Sequence, residues 1–135
     1  MRLPLLVAAA QPRCEALNVA SNARTHAEAI LAAGARLVVF PELSLTGYEL
    51  DAEPVAPDDP ALRPIVDACA ETGAVALVGA PLAEDGARFI AAFRVDEDGV
   101  TVAYRKSHLG GDELRSFESG DGPTVLELDG WRIGL

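Results

Sequence analysis

Glu42 and Lys106 are the residues whose types and places in this sequence could carry chemistry. Glu42 follows the apolar run Leu37, Val38, Val39, Phe40, and Pro41 between them removes the donor that a continuing strand ladder would need. A carboxylate is thereby set at the carboxyl end of a buried strand, where open α/β sheets bind their ligands. It is a candidate reacting group, of a type that exchanges protons with small molecules. The competing reading is a solvated glutamate in a loop. Lys106 falls at the far end of a later strand, where a lone lysine is ordinarily a solvated edge charge. Glu113 follows in the same segment, but Asp112 adjoins it and either could be surface charge. His108 reads as a loop residue that shapes its surroundings by hydrogen bonding, and His26 as an exposed helix residue. Two histidines far apart, with no carboxylate at ligand spacing, give metal catalysis little support. Gly110-Gly111 lacks the lysine and hydroxyl of a phosphate loop and does not open a helix after a strand.

The elements that must position these groups have to fit in 135 residues, which by length is a single domain, 1–135, able to bury roughly two thirds of its unfolded surface. Half the residues are apolar and 24% charged, a globular composition. The net charge of −10 argues against nucleic acid or an anionic membrane as partner, since both require basic clusters. A small-molecule substrate or a protein partner fits better. Cys14 and Cys69 are too few for a disulfide framework or zinc site, which suits a reducing, cytoplasmic setting. The N-terminal run 3–10 imitates a signal peptide, but one Arg and an internal Pro4 make it read as a first strand instead, and no run is long enough to span a membrane.

The pattern predicts a buried strand over 3–11 and a helix over 19–33, with Asn18 as N-cap and Gly34 as stop. Ala23, Ala27, Ile30 and Leu31 form that helix's apolar stripe. A strand over 37–40 completes a βαβ unit. Residues 49–59 are an acidic loop without EF-hand spacing. A second helix begins at Asp59-Pro60 or Arg63-Pro64 and runs to Thr72, with Leu62, Ile65, Val66 and Cys69 on one face. Cys69 is thereby a core thiol. Strands follow over 74–80, 88–95 and 100–105, the last two an antiparallel pair turned at 96–99. A Gly-rich loop spans 110–123. A strand over 124–128, a turn at Asp129-Gly130 and a strand from Trp131 end the sequence.

Two stretches belong together: LVVFPELSLTGY at 37–48 and YRKSHLGGDE at 104–113. They resemble the nitrilase superfamily of carbon-nitrogen hydrolases, in which a Glu after the second strand, a Lys in a YRK-x-HL motif and a later Cys form the catalytic group. Glu42 matches the first and Lys106 the second. Glu113 matches a further Glu of many members, and FESG at 117–120 resembles the F-x-x-G that follows it. The AAAQ at 8–11 and GWRIGL at 130–135 extend the likeness over the whole chain in order.

The resemblance implies cleavage of an amide, carbamoyl or nitrile group through a thioester. Glu42 would be general base to a thiol, Lys106 would stabilise the oxyanion, and Glu113 would orient Lys106 or polarise the substrate, with Tyr48 and His108 as substrate-binding residues. It also implies an α/β fold that is one two-layer half of an αββα sandwich, a mixed sheet with helices on one face. In the family the run matched by GWRIGL leads into the nucleophile, so the resemblance implies a Cys just beyond Leu135; neither Cys14, in a loop, nor Cys69, on a helix face, can stand in for it. The chain alone is therefore expected to be inactive. Of three explanations, an incomplete hydrolase is favoured over a separately encoded second half or a degenerate product. Exposed sheet surface and the resemblance both argue against a monomer, so a complete form is expected to be a homo-oligomer, and the resemblance implies no cofactor. The rival reading is a non-catalytic α/β module that binds a metabolite or partner at the same strand ends.

Overall fold

Parallel neighbouring strands need a crossover, and α1 (Val19–Ala33) supplies it between β1 (Val7–Ala9) and β2 (Leu37–Val39). The helix starts where Asn18 Oδ1 accepts a hydrogen bond from Ser21 N at 3.0 Å, and it stops at Gly34, whose φ of 59° a Cβ would penalise. α2 (Arg63–Thr72) follows a 3-10 turn (Pro60–Leu62) capped by Asp59, so both expected starts are used, one for each element. The computed structural model, which describes residues 2–135, continues with β3 (Val75–Glu84), β4 (Ala87–Asp96), β5 (Gly99–Arg105), β6 (Val125–Leu128) and β7 (Trp131–Gly134).

The first five strands form one mixed sheet in chain order, parallel from β1 to β3 and antiparallel from β3 to β5. Alternation then assigns the faces. Val38, Ala76, Val78, Phe93 and Val95 pack with Ala23, Ala27 and Ile30 of α1 and Ile65 and Cys69 of α2. Leu37, Val75 and Leu77 point the other way, onto Leu126 and Leu128 of the β6–β7 hairpin. Both helices thus cover one face, as the α/β reading expects. No helix among the described residues is long and apolar enough to cross a membrane.

Four expectations need correction. The strand expected over 3–11 is only Val7–Ala9, and Leu3, Leu6 and Val7 are exposed by 81, 62 and 50%, because β1 is an edge strand pairing with β2 alone. The strand expected over 74–80 runs through Pro81 to Glu84. Pro81 costs no ladder bond there, since its carbonyl faces away from β4 and accepts from Val55 N at 2.8 Å, beyond the end of β2. In α1, Leu31 is 47% exposed, whereas Asn22 and His26 are buried at 1 and 2%. The buried stripe 22, 23, 26, 27, 30 is rotated from the expected one, and two polar residues enter it with their hydrogen bonds made internally. Finally, the loop over 110–123 contains a 3-10 turn, Gly111–Arg115.

Candidate active site

Each charged residue of the site is carried by a short segment whose backbone is tied to the sheet. Glu42 opens the turn after β2. Its neighbour Leu43 has φ 54°, unusual for a side chain other than glycine, and is fully buried against Ile90 and Phe117. Ser44 N donates to Pro41 O (3.2 Å) and Gly47 N to Leu43 O (2.8 Å), closing the turn. β3 comes so near that a Cβ at Gly79 would stand 2.3 Å from Leu43 N and 2.6 Å from Pro41 O. Lys106 follows β5, after a bulge at the residue between Val102 and Tyr104 that breaks the alternation of the strand. Its N–H donates to Ile90 O (2.8 Å) and its carbonyl accepts from Gly120 N (2.9 Å). Tyr104 Oη accepts from Ser107 N at 3.1 Å and so shapes the segment around Lys106. Glu113 sits in the 3-10 turn, bonded to Gly110 through both its backbone N–H and its Oε2, each at 3.0 Å.

These segments bring the three residues to one point. Lys106 Nζ lies 3.0 Å from Glu42 Oε2 and 3.0 Å from Glu113 Oε1. Tyr48 Oη donates to the same Glu113 oxygen at 2.5 Å, so Tyr48 belongs to the cluster. His108 does not: it is exposed, and its ring makes no hydrogen bond with the described residues. The loop shaping expected of it is done by Tyr104 and Glu113 instead. A cavity of about 280 Å³ opens beside the pair, lined by Glu42, Lys106, Tyr104, Gly79, Ile90 and Leu135 among others.

The two carboxylates stand in different surroundings. Glu113 is 4% exposed, and the Tyr48 hydroxyl, the Gly110 N–H and the Lys106 ammonium together outweigh burial and hold its acid at about 2. Its carboxyl group is thereby held well below the usual carboxylate range, as an anion at neutral pH. For Lys106, burial opposes the charge, but the hydrogen bonds to Glu42 and Glu113 outweigh it and raise the pKa, so the side chain is a fixed cation. Glu42 has a side chain 41% exposed at the cavity wall, where a bound molecule can reach it. The arrangement offers one accessible carboxylate beside a held ammonium, which suits proton exchange next to developing negative charge.

Neither thiol takes part. Cys14 is exposed with its Sγ 3.7 Å from Ser44 O, and partial burial raises its pKa. Cys69 is 1% exposed, as a core thiol should be. Its S–H donates to Val95 O at 3.6 Å, and burial pushes it up to about 11. Among the described residues no group of three or more His, Cys, Asp or Glu could hold a metal ion. Sequence reasoning missed Gly79, Ser44 and His26 behind the Glu42 turn. A glycine inside an otherwise apolar strand was the available signal for the first, since it marks close backbone approach.

A family model described as carbon-nitrogen hydrolase matches residues 6–135. Among curated relatives, a protein named "Hydrolase in pqqF 5'region" from Pseudomonas protegens is 37% identical over 129 residues, covering 88% of this chain and 45% of its own. An (R)-stereoselective amidase from Pseudomonas sp. is 27% identical over 139 residues, covering 100% of this chain and 50% of its own. Among solved structures, a variant of the amidase from Nesterenkonia sp. AN1 in complex with butyramide superposes with a TM-score of 0.78 at 26% identity, over 96% of this chain and 54% of that one. The chain spans about half the length of the curated relatives it matches.

Proposed function

The chain belongs to the carbon-nitrogen hydrolase family, and from that premise we propose that it furnishes the Glu–Lys–Glu part of a thiol-dependent amidase site. The observation that carries this reading is the convergence of Glu42 and Glu113 on Lys106 Nζ, at 3.0 Å each, beside a cavity that Leu135 also lines. A cysteine from the segment following Leu135 would then be near Glu42. Glu42 takes the thiol proton, the sulfur bonds to the carbonyl carbon, and the electrons displaced onto oxygen face the Lys106 ammonium. Collapse breaks the C–N bond, and Glu42 returns its proton to the departing amine. Water then attacks the thioester with Glu42 again as base, and cleavage of the C–S bond restores the thiol. Glu113, fixed as an anion, holds Lys106 in place and carries no proton.

The substrate is a small amide, with carbamoyl and nitrile groups as chemical alternatives; the butyramide complex of the Nesterenkonia amidase supports the first. In a chain carrying the nucleophile, Glu42→Gln and Lys106→Ala should each lower kcat by at least about 10²-fold. A near-normal rate in either removes that residue from the mechanism. The 135-residue chain alone should turn over no amide, and turnover that survives thiol alkylation would refute a thiol mechanism. One observation favours the rival reading of a non-catalytic binding module: both thiols of this chain lie outside the cavity. The absence of a cysteine in the segment that completes the site would establish that rival.

A further inference from the structure

Behind the turn that presents Glu42 lies a chain of buried polar groups that the proposed mechanism does not use. Asn22, His26 and Ser44 are 1, 2 and 6% exposed, in a region otherwise packed with apolar side chains. Burial of three polar side chains is costly unless every donor and acceptor is matched, and here they are matched in a single order. The carbonyl of Asn22 can only accept, so the contact at 2.7 Å places the proton on His26 Nδ1. His26 Nε2 is then an acceptor, and it takes the Ser44 hydroxyl proton at 2.8 Å. Ser44 Oγ in turn accepts from Gly79 N at 3.0 Å. The Asn22 side chain completes the set by donating to Leu45 O at 2.9 Å.

The ring of His26 also stacks on Phe40, with centroids 4.2 Å apart and planes 17° from parallel. Apart from the bond between Asn22 O and His26 within α1, these contacts end on the segment 40–45, the segment that contains Glu42. That segment is under load, because Leu43 is held at φ 54°, a conformation that persists only when its surroundings enforce it. Ser44 and His26 have the separation of a hydrolytic pair, but the serine is buried and its hydroxyl is engaged on both sides, so it is no nucleophile.

We propose that His26 and Ser44 are positioning residues for Glu42: the relay from Asn22 O through His26 and Ser44 to Gly79 N fixes the strained turn so that the carboxylate meets Lys106. Its relevance to catalysis rests on the reading of Glu42 as the base, but the positioning itself is a property of the chain as it stands. The selectivity of the device follows from the connectivity. Glu113 reaches Lys106 through Gly110 and Tyr48, which have no bond to the relay, so loss of the relay should release one carboxylate and leave the other.

The test is Ser44→Ala in the 135-residue chain, read by NMR through the NOE contacts between the Lys106 side chain and those of Glu42 and Glu113. The expected result is a folded variant that loses the Lys106–Glu42 contact, keeps the Lys106–Glu113 contact, and regains the first in Ser44→Thr, which restores the hydroxyl. Retention of both contacts overturns the proposal, and so does loss of both together, since that is general loosening. Should Ser44→Ala fail to fold, His26→Phe decides, because it keeps a ring on Phe40 and removes the acceptor of the Ser44 hydroxyl, together with the donor to Asn22 O; the same selective loss is expected, and an intact Glu42 contact refutes it. In a chain carrying the nucleophile, Ser44→Ala should lower kcat by about 10²-fold with KM little changed, as a misplaced base does. A lost NOE contact with unchanged turnover would instead refute Glu42 as base while leaving the positioning intact.

Discussion

Replacing Gly79 by alanine should do more damage than one methyl group ordinarily does. Gly79 has no need of positive φ, so backbone strain is not the issue; the space is. An added Cβ would lie 2.3 Å from Leu43 N, 2.6 Å from Pro41 O and 2.9 Å from Glu42 C, against the 3.4–4 Å of ordinary contact. The shortest of these calls for a recoil of roughly 1 Å, and all three neighbours are backbone atoms that no rotamer change can move aside. The recoil must stretch the bonds Leu45 N to Gly79 O, now 2.9 Å, and Gly79 N to Ser44 Oγ, now 3.0 Å. Overpacking of this kind costs about 1–3 kcal/mol, which for a chain of this size lowers Tm by roughly 3–12 °C. The same movement takes Glu42 off Lys106, and a reacting group displaced by about 1 Å loses about 10² in rate. Differential scanning calorimetry on the chain, and kcat in a form carrying the nucleophile, read the two effects. A Gly79→Ala variant with unchanged Tm and rate would show that β3 does not set the position of the Glu42 turn.

Three further outcomes are expected. Tyr48→Phe removes the largest influence holding Glu113 at about 2, so the acid should titrate at higher pH by carboxyl 13C NMR; an unmoved titration would mean that Gly110 and Lys106 suffice. Acid should destabilise the chain in two stages. His26 is buried neutral with its pKa lowered from 6.5 to about 4, so the unfolded chain binds more protons between these values, and the stability present above pH 6.5 is lost as pH falls toward 4, up to roughly 3 kcal/mol. Glu113, lowered from 4.5 to about 2, gives stability present above pH 4.5 that is lost as pH falls toward 2. Urea denaturation at stepped pH tests both, and a His26→Phe variant with an undiminished slope between pH 6.5 and 4 would remove His26 as the source of the first. Gly120→Ala should displace the segment bearing Lys106, because its Cβ would fall 2.2 Å from Arg105 O; wild-type Tm and an unchanged Lys106–Glu113 NOE would refute this.

Much of the fold was legible because local chemistry and packing agree. Asn18 and Gly34 bracket α1 as caps do, and the turn at 96–99 joins β4 to β5 as its acidic run and glycine suggest. The Glu42 segment could be placed at a strand end by its apolar run and Pro41 alone. The meeting of Glu42, Lys106 and Glu113 could not be derived that way, since a contact across 64 residues has no local signal; only the resemblance of the two motifs brought them together. The misreadings share a cause. Periodicity sorts residues by polarity, so it put Leu31 inside and His26 outside, whereas hydrogen bonds to Ser44 and Asn22 O make burial of His26 tolerable. The strand expected over 74–80 fell short of Glu84 because a sequence does not show that the Pro81 side of β3 faces a loop N–H and not another strand.

The three site segments converge because a small apolar cluster couples them. Leu43, Ile90 and Phe117 pack together, and each adjoins or bonds a different site segment: Leu43 follows Glu42, Ile90 O accepts from Lys106 N, and Phe117 N donates to Glu113 O at 2.9 Å. The charged atoms therefore do not have to find one another by electrostatic attraction alone, which is weak for partly exposed pairs. Their backbones are held by a buried apolar contact. The two carboxylates nevertheless differ in their bonding and exposure. Glu113 is bound by Tyr48 and Gly110 as well as by Lys106, while Glu42 has Lys106 as its side-chain partner, on a turn held through its backbone, Leu43 and the His26–Ser44 relay, and it lines the cavity. An accessible carboxylate beside an anchored cation thus follows from unequal bonding of two otherwise similar side chains.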